Sequence, residues 1–274
     1  MEPFLKWAGG KRQLIERIEE RAPIEYDIYY EPFVGGGAIL FHLQPARAVI
    51  NDKNEQLINV YRQLQKDPAK IVKALKKFDS KICTQEYYIA MRAEYNEKIA
   101  QKELDSECAA YMIWINKHCF NGLYRVNAKG FFNVPWNKKT SGSSMNEDNL
   151  LAIGNYLQNA DVKITCKDFT EICNSITEKD FVYFDSPYVP MSDTASFTDY
   201  TKEGFTYEDH VRLANVYRRL SEKGVRAMLS NHDVGLVYEL YCGFKIEQME
   251  VKRFINSNAQ KRSGKEVLIT NYEL

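Results

Sequence analysis

The sequence has no long hydrophobic run. No apolar stretch among its 274 residues approaches the ~20 residues that a membrane-spanning helix needs. The first residues, MEPFLKWAGGKRQ, contain no hydrophobic stretch before a cleavage site, so no secretory signal is expected. These absences predict a cytoplasmic protein that does not associate with a membrane.

Paired cysteine motifs are also missing. The six cysteines are scattered and form no CxxC pair, which argues against a zinc site and against a redox motif. We therefore expect reduced thiols in a cytoplasmic protein and no bound metal. The cysteines are at positions 83, 108, 119, 166, 173 and 242.

The chain has no net charge. Proteins that bind nucleic acid often carry an excess of basic residues, so the neutral total argues mildly against such a function. Its positive charge is nevertheless concentrated in two windows. Residues 117–144 contain five Lys or Arg and no Asp or Glu, and residues 245–265 contain six Lys or Arg against two Glu. This distribution favours a local surface that binds a polyanion.

Strand-like and helix-like segments alternate along the chain, which predicts an α/β fold with a sheet of about seven strands. A mainly helical block interrupts the alternation. It predicts a catalytic domain formed by 1–55 and 148–274, with an inserted domain at 56–147. The predicted strands are 26–31, 47–52, 161–166, 180–185, 225–230, 244–251 and 266–272. The predicted helices are 38–42, 54–65, 68–78, 85–100, 106–120, 207–223 and 234–241.

A glycine loop, EPFVGGG (31–37), follows the first predicted strand and opens a helix. Asp52 closes the next strand, where an acid can accept hydrogen bonds from ribose hydroxyls. Together they favour a ligand that contains adenosine, although a plain β–α turn would also fit. An earlier stretch, FLKWAGGKRQL (4–14), offers a flat face in Trp7 and a cation in Lys11. A helix start with a core tryptophan is the alternative.

The segment YFDSPYVP (183–190) leaves a hydrophobic strand on an aspartate. Asp, Ser and Pro are common turn formers, so a simple turn is one interpretation. The motifs KWAGGK, PFVGGG, IND and DSPY, in that order, resemble those of the Dam family of DNA adenine-N6 methyltransferases, an α-group, D12-class family. Further matches are FNGLYRVNAKGFFNVP (120–135), TASFTDY (194–200), LSNHD (229–233) and the tail KRFINSNAQKRSGKEVLITNY, so the resemblance covers essentially the whole chain.

The resemblance implies a Rossmann-like S-adenosylmethionine-dependent methyltransferase that methylates N6 of adenine in double-stranded DNA, within GATC by family precedent. The exocyclic amine is a poor nucleophile, and two acceptors, the Asp185 carboxylate and the Ser186 carbonyl, would free its lone pair and orient it. The base must be flipped out of the duplex, and Tyr188 would stack on it while Pro187 fixes the turn. Where this chain has Ser186, the family usually has proline.

By the same resemblance, the catalytic residues are Asp185, Ser186, Pro187 and Tyr188. The residues expected to bind the cofactor are Trp7, Lys11, Phe33, Gly35, Gly37, Asp52, Asp168, Phe169 and Asp185.

The 56–147 insert is interpreted as the target-recognition domain, with a hairpin at about 120–136. Its cations and interleaved aromatics suit DNA, and Arg125 can read a guanine edge. The resemblance implies that Phe120 inserts into the base stack. A solvated loop with core aromatics is the alternative, and loop 257–265 is expected either to touch phosphates or to be an ordinary exposed hairpin. The expected DNA-binding residues are Lys6, Phe120, Asn121, Leu123, Arg125, Asn133 and Pro135.

Two other functions stay open from the motifs: a methyltransferase acting on RNA or on a protein amide, and a non-catalytic DNA-binding relative. The resemblance predicts a monomer associated with the nucleoid. It leaves open whether a cognate restriction endonuclease is a partner.

Overall fold

A computed structural model gives the structure of this chain and describes residues 1–7, 9, 11, 14–190, 204–252 and 263–273. Two predicted features, the TASFTDY motif (194–200) and positions 257–262 of the basic loop, lie outside the described residues.

The strands form one mixed sheet of seven members in the order β3-β2-β1-β4-β5-β7-β6. The pairs β1–β2, β1–β4 and β4–β5 are parallel, whereas β7 runs antiparallel to both β5 and β6. The predicted α/β class with seven strands is confirmed. The strands are β1 (Tyr29–Glu31), β2 (Arg47–Asn51), β3 (Asp161–Thr165), β4 (Phe181–Phe184), β5 (Arg226–His232), β6 (Lys245–Lys252) and β7 (Ser263–Thr270).

Ten α-helices occur in the described ranges, three of which the sequence did not predict: α1, α7 and α8. A short 3₁₀ turn also forms at Phe120–Gly122. The helices are α1 (Ile15–Arg21), α2 (Ala38–Leu43), α3 (Glu55–Lys66), α4 (Pro68–Asp79), α5 (Gln85–Gln101), α6 (Ser106–His118), α7 (Glu147–Asn159), α8 (Phe169–Cys173), α9 (Tyr207–Glu222) and α10 (Gly235–Leu240).

Side-chain caps explain where the longer helices begin. Asn54, Asp67, Thr84 and Asp105 each accept a hydrogen bond from a backbone N–H in the first turn of α3, α4, α5 and α6. Thr206 starts α9 in a reciprocal capping box with Asp209. Each cap satisfies one of the donors that a helix start leaves without a partner.

The chain divides into two compact units. Unit 1 comprises Met1–Gly10, Gly35–Ala46 and Asp52–Cys166, and unit 2 comprises Lys11–Val34, Arg47–Asn51 and Lys167–Leu274. All of the predicted insert, 56–147, lies in unit 1. The boundaries predicted for the two domains stay a prediction.

In unit 1 the helix α6 is the centre of the core and packs against α3, α4 and α5. Nearly every residue of α6 is buried, including Trp114, whose indole N–H donates to Asp79 Oδ1 at 3.0 Å. A helix that is apolar on all sides is stable only where neighbours cover all sides. The unit can therefore hold exposed loops on a rigid support.

The core of unit 2 is a sheet face covered by helices. All four residues of β4 are buried, and Phe184 packs against Tyr217 of α9 with ring centroids 6.2 Å apart. Such a strand is fixed from both faces, so the residue that follows it has a defined position.

No helix in the described part of the chain is long and apolar enough to cross a membrane.

Candidate active site

Asp185 follows β4 directly and lies in a chain of hydrogen bonds within unit 2. Its Oδ1 is 2.6 Å from Lys11 Nζ and accepts from the Ser230 hydroxyl at 3.3 Å. Ser230, in β5, is in turn 2.9 Å from the Tyr183 hydroxyl. The Lys11 side chain is only 4% exposed, so this ion pair is largely shielded from water. The strand end therefore holds a carboxylate in one orientation, as an acceptor requires.

The pKa of Asp185 is raised above that of an ordinary aspartate. Burial is the main cause, because it penalises the charged form. The Lys11 ammonium opposes that effect, and the nearby charge of Glu266 adds to it. The protonation state of the carboxylate thus depends on its neighbours, a property common at functional sites.

Tyr188 is held by contacts on three sides within unit 2. Its hydroxyl donates to Glu266 Oε2 at 2.8 Å, and its ring meets the His232 ring edge-on with centroids 4.8 Å apart. The Lys11 ammonium lies over its ring, 4.4 Å from the centroid. Lys11 therefore contacts both the carboxylate and the aromatic ring of the DSPY segment.

Ser186 and Pro187 complete the turn. Ser186 is 2% exposed, and its hydroxyl has no hydrogen-bond partner among the residues that the structure describes. Pro187 is exposed. Just beyond the turn, the Val189 N–H donates to Asn231 Oδ1 at 2.9 Å, which ties this segment to β5. The turn is thus held through its backbone rather than through the serine hydroxyl.

Phe33 and Phe169 pack together in unit 2, with ring centroids 5.2 Å apart and Phe205 against both. Asp168 caps α8 by accepting from the Thr170 N–H at 3.0 Å, and it also pairs with Arg212 at 2.8 Å. Burial opposes ionisation of Asp168, but the Thr170 and Arg212 hydrogen bonds outweigh it and lower its pKa. This carboxylate is charged and already engaged.

Asn51, at the end of β2, organises the loops of unit 2. Its amide donates to the Pro32 carbonyl at 3.1 Å and to the Lys167 carbonyl at 3.0 Å, and its carbonyl accepts from the Lys167 N–H at 2.9 Å. One buried side chain thereby fixes the segments that carry Phe33 and Asp168. These hydrogen bonds give the asparagine of the IND motif a structural role.

The glycine loop is described within unit 1. Gly35 has a φ of +49°, and a Cβ there would lie 2.9 Å from the Trp7 ring, so the indole packs directly on the loop backbone. Gly37 has a φ of +76°, and a Cβ there would clash with Tyr61 and Phe41 at 2.5 and 2.7 Å. These two positions require glycine for both conformation and space.

Asp52 supports the same loop. Its Oδ2 accepts from the Gly35 N–H at 3.2 Å and its Oδ1 from the Asn54 N–H at 2.8 Å. Burial raises its pKa, and these backbone donors oppose the rise. The carboxylate keeps free lone pairs in this arrangement, since each oxygen can accept more than one hydrogen bond.

Lys6 is joined to the base of the 120–136 hairpin through Asn116. The Asn116 carbonyl accepts from the Lys6 N–H at 2.8 Å, and its amide donates to the carbonyls of Lys6 and Gly122 at 3.0 and 2.9 Å. Gly122 has a φ of +66°, and a Cβ there would meet the Lys6 side chain at 2.6 Å. This close packing fixes the lysine backbone beside the hairpin, while Lys6 itself is exposed.

The first turn of the hairpin exposes apolar side chains. Phe120 is 50% exposed and Leu123 is 44% exposed, whereas most large apolar side chains in the described part of the chain are buried. Between them, Asn121 is exposed and takes a left-handed backbone conformation with a φ of 55°. The Phe120 N–H donates to the Pro135 carbonyl at 2.8 Å, which closes the base of the hairpin. Exposed apolar side chains on a fixed backbone can enter a partner surface.

Arg125 is exposed and lies across the hairpin from Asn133. Its Nε donates to Asn133 Oδ1 at 2.8 Å. The opposite side of the hairpin is held on α5: Asn96 bonds both the N–H and the carbonyl of Phe132, at 2.8 and 3.0 Å. Asn133 therefore holds the guanidinium against the hairpin, and α5 supports the hairpin from the other side.

The structure brings several predicted residues into contact: Lys11 with Asp185 and Tyr188, Trp7 with Gly35, Gly35 with Asp52, Phe33 with Phe169, and Arg125 with Asn133. Sequence reasoning missed Ser230 and Glu266 beside the DSPY segment, and it missed Asn116 under the hairpin. Ser230 lies inside the matched LSNHD motif, which was the available signal for it. Glu266 lies inside the matched tail, which was the available signal for it, whereas nothing in the local sequence singled out Asn116.

The sequence of this chain also matches a known protein family. Residues 7–255 match the sequence model of the family described as D12 class N6 adenine-specific DNA methyltransferase. The chain belongs to that family. The match runs through the DSPY segment, the glycine loop and the hairpin, and it confirms the predicted enzyme class: an adenine-specific DNA methyltransferase.

Individual relatives agree with the family match. The type II methyltransferase M1.LlaDCHI of Lactococcus lactis is 41% identical, over 99% of this chain and 96% of its own length. The type II methyltransferase M.MjaIII of Methanocaldococcus jannaschii is 39% identical over 99% of both chains, and the DNA adenine methylase of Escherichia coli is 30% identical over 98% of this chain and 95% of its own length. A solved structure of precorrin 8W decarboxylase, with a TM-score of 0.38 and 12% identity, is too distant to inform the function.

Within the described ranges, no group of three or more His, Cys, Asp or Glu side chains could hold a metal ion. The polar groups assembled around Asp185 are instead a carboxylate, an ammonium and hydroxyls. Such a set can accept and orient hydrogen bonds from an amine. DNA is the substrate class of this family.

Proposed function

We propose that this DNA adenine methyltransferase takes its methyl group from S-adenosylmethionine and methylates N6 of a flipped adenine in double-stranded DNA, within GATC. The observation that carries the proposal is the DSPY segment. Asp185 is fixed at the end of β4 by Lys11 and Ser230, and Tyr188 lies beside the same lysine. A fixed acceptor next to an aromatic ring is what an exocyclic amine on a stacked base requires.

The residues present fit S-adenosylmethionine. In unit 1, the Trp7 ring packs on the Gly35 backbone, and the Asp52 carboxylate can accept from ribose hydroxyls. Gly37 keeps the loop in its left-handed conformation. When bound, S-adenosylmethionine supplies an electrophilic methyl group on its sulfonium centre.

Unit 2 offers groups of matching chemistry. The Lys11 ammonium suits a carboxylate, and the aromatic pair of Phe33 and Phe169 suits an adenine ring. Asp168 is ionised and could accept from an exocyclic amine, although it already accepts from Thr170 and Arg212. The Asp185 carboxylate is the remaining acceptor expected near the cofactor.

Asp185 and the Ser186 carbonyl would accept the two N–H bonds of the target amine. This withdraws the nitrogen lone pair from conjugation with the ring and aims it at the incoming methyl group. The Asp185 charge also stabilises the positive charge that develops on nitrogen. The step needs a carbonyl at position 186 rather than a particular side chain, so serine can replace the usual proline.

Tyr188 would stack on the flipped base. Extrusion from the duplex costs a few kcal/mol, and stacking on an aromatic ring returns about 1–3 kcal/mol of it. The contacts of Tyr188 with Glu266 and His232 hold the ring in place before the base arrives. Less binding energy is then spent on ordering the ring.

The 120–136 hairpin would read the site. Exposed Phe120 and Leu123 are suited to enter the base stack, and exposed Arg125, which Asn133 orients, is suited to a guanine edge. Exposed Lys6, which packs against Gly122, would add a second guanine contact. Several relatives are named DNA adenine methylase and others type II methyltransferase, and we extend adenine methylation from them to this chain. A cognate restriction endonuclease and a monomeric state stay predictions.

The first experiment measures methyl incorporation from labelled S-adenosylmethionine into two duplexes that differ only in GATC against GTAC. Both sites are palindromes of the same composition, so only base order is varied. We expect label in the GATC duplex alone, and in adenine N6 after nucleoside digestion.

Label in both duplexes would retain the chemistry and overturn the GATC specificity. Label in neither, with binding of the cofactor confirmed by calorimetry, would overturn the proposal. Matched single-stranded RNA and bulk protein, tested in parallel, would then show whether another acceptor is methylated.

A further inference from the structure

Glu266 lies in β7, and the DSPY segment follows β4. In the antiparallel pairing of β5 with β7, Glu266 faces His232. Its carboxylate accepts the Tyr188 hydroxyl at 2.8 Å, a contact between residues that are 78 positions apart in the chain. The polar end of the aromatic ring is therefore tied to the framework of the sheet rather than to its own loop.

His232 holds the ring from a second direction. The two rings meet edge to face at 78° between their planes, and His232 Nδ1 is 2.8 Å from the Val189 carbonyl. The neighbouring Asn231 holds the Val189 N–H. The ring edge and the backbone beyond it are thus both fixed to β5, and the contact with Glu266 fixes the hydroxyl end of the ring.

The hydroxyl is not needed for stacking itself. A phenyl ring has the same flat face as a phenol ring, and stacking depends on that face. What the hydroxyl adds at position 188 is a hydrogen bond to a carboxylate, and such bonds are stronger than those between neutral groups. The Tyr188–Glu266 contact therefore controls where the ring points and leaves the strength of stacking unchanged.

We propose that Glu266 is a positioning residue for the methylated base: it fixes the hydroxyl end of Tyr188, and through that ring it sets the position of the flipped adenine at Asp185. This inference rests on the proposed function and assigns a role to a residue of the matched tail to which the resemblance gave none. Positioning of this kind acts on the chemical step, because small errors in the approach of the reacting atoms are costly.

The test is a double-mutant cycle with Tyr188→Phe and Glu266→Ala, assayed in single turnovers on the preferred duplex. Each single variant removes the same hydrogen bond from one side. We expect each to lower the methylation rate about tenfold, as the loss of one hydrogen bond to a charged group would. The double variant should be no slower than the slower single variant, and the apparent Kd for DNA should change by less than about twofold.

Glu266→Gln is the conservative variant, because its amide oxygen still accepts from the phenol. It should recover most of the lost rate. Glu250→Ala is the matched control: an exposed glutamate in the neighbouring strand β6, whose loss should leave the rate unchanged. All variants are compared at a temperature where circular dichroism shows each to be folded.

Rate losses that multiply in the double variant would overturn the proposed coupling, as would a Glu266→Gln variant as slow as Glu266→Ala. Failure of the proposed function would be seen earlier and separately, as a wild-type protein that places no methyl group on adenine. In that case the positioning role falls with it.

Discussion

Two regions of the molecule hold the side chains of their proposed functional residues in opposite ways. Around Asp185 in unit 2, Lys11, Ser230 and Tyr183 form a continuous hydrogen-bonded chain and are mostly buried. In the 120–136 hairpin of unit 1, the backbone is held by Asn96 and Asn116 while the side chains of Phe120, Leu123 and Arg125 extend outward.

This difference follows from what each region is proposed to do. A group that orients a reacting atom gains from being fixed before substrate arrives, since no reorganisation is then needed during reaction. A group that reads DNA has to leave the protein surface, so the scaffold can fix only the backbone beneath it. Substitutions in the two regions should therefore fail in different measurements, and the predictions below test that separation.

The largest effect is expected for Asp185→Ala. It removes an acceptor and the charge that stabilises the transition state, so methylation should fall by at least about 10³-fold. Binding of the duplex should survive, because the hairpin is unchanged. Single-turnover assays and fluorescence anisotropy of labelled DNA would measure the two quantities. Near-normal turnover would remove Asp185 from the mechanism.

A smaller effect, in the opposite pattern, is expected for Arg125→Ala. Discrimination at one guanine of the site should weaken by about 1–3 kcal/mol, with little change in the maximal rate on the preferred duplex. Competition assays over all single-base variants of the site would show it. Lys129→Ala is the control, an exposed cation of the same hairpin. If both variants keep the same preference as wild type, Arg125 does not read a base.

The smallest effect concerns pH. The acceptor must be ionised, and burial raises the pKa of Asp185, so activity should be lost on acidification at a higher pH than for an ordinary aspartate. Lys11→Met removes the neighbour that favours the charged form, and should move this acidic limb to still higher pH. Rates at saturating cofactor across the pH range would measure it, with exposed Lys245→Met as control. An unmoved limb would show that Lys11 does not tune Asp185.

Much of the fold could be predicted from hydrophobic patterns, because β4 and β5 are apolar runs that end at turn residues. The predicted 180–185 and 225–230 correspond to Phe181–Phe184 and Arg226–His232. The sequence did not predict helix α7. Its Gly154 and asparagines weaken helix propensity. The glycine is present because a Cβ there would lie 2.5 Å from Pro68, a contact that only the folded chain shows.

The same limit applies to the candidate site. Motif spacing brought forward Asp185, Tyr188, Gly35 and Asp52, since each follows a strand end or a glycine run. The pairing of Tyr188 with Glu266 depends instead on β7 lying beside β5, and strand order in a mixed sheet is set by long-range packing. Local sequence carries no record of such neighbours.

The amide of Asn116 has a consequence for attempts to exchange specificity between relatives. It joins the N-terminal segment at Lys6 to the hairpin at Gly122, so these pieces form one mechanical part although they are far apart in sequence. A chimera that grafts only positions 120–136 from another methyltransferase would place the new hairpin on a Lys6 and an Asn116 that belong to a different hairpin. The unit to exchange is therefore discontinuous in sequence: residues 120–136 have to be replaced together with those at positions 6 and 116.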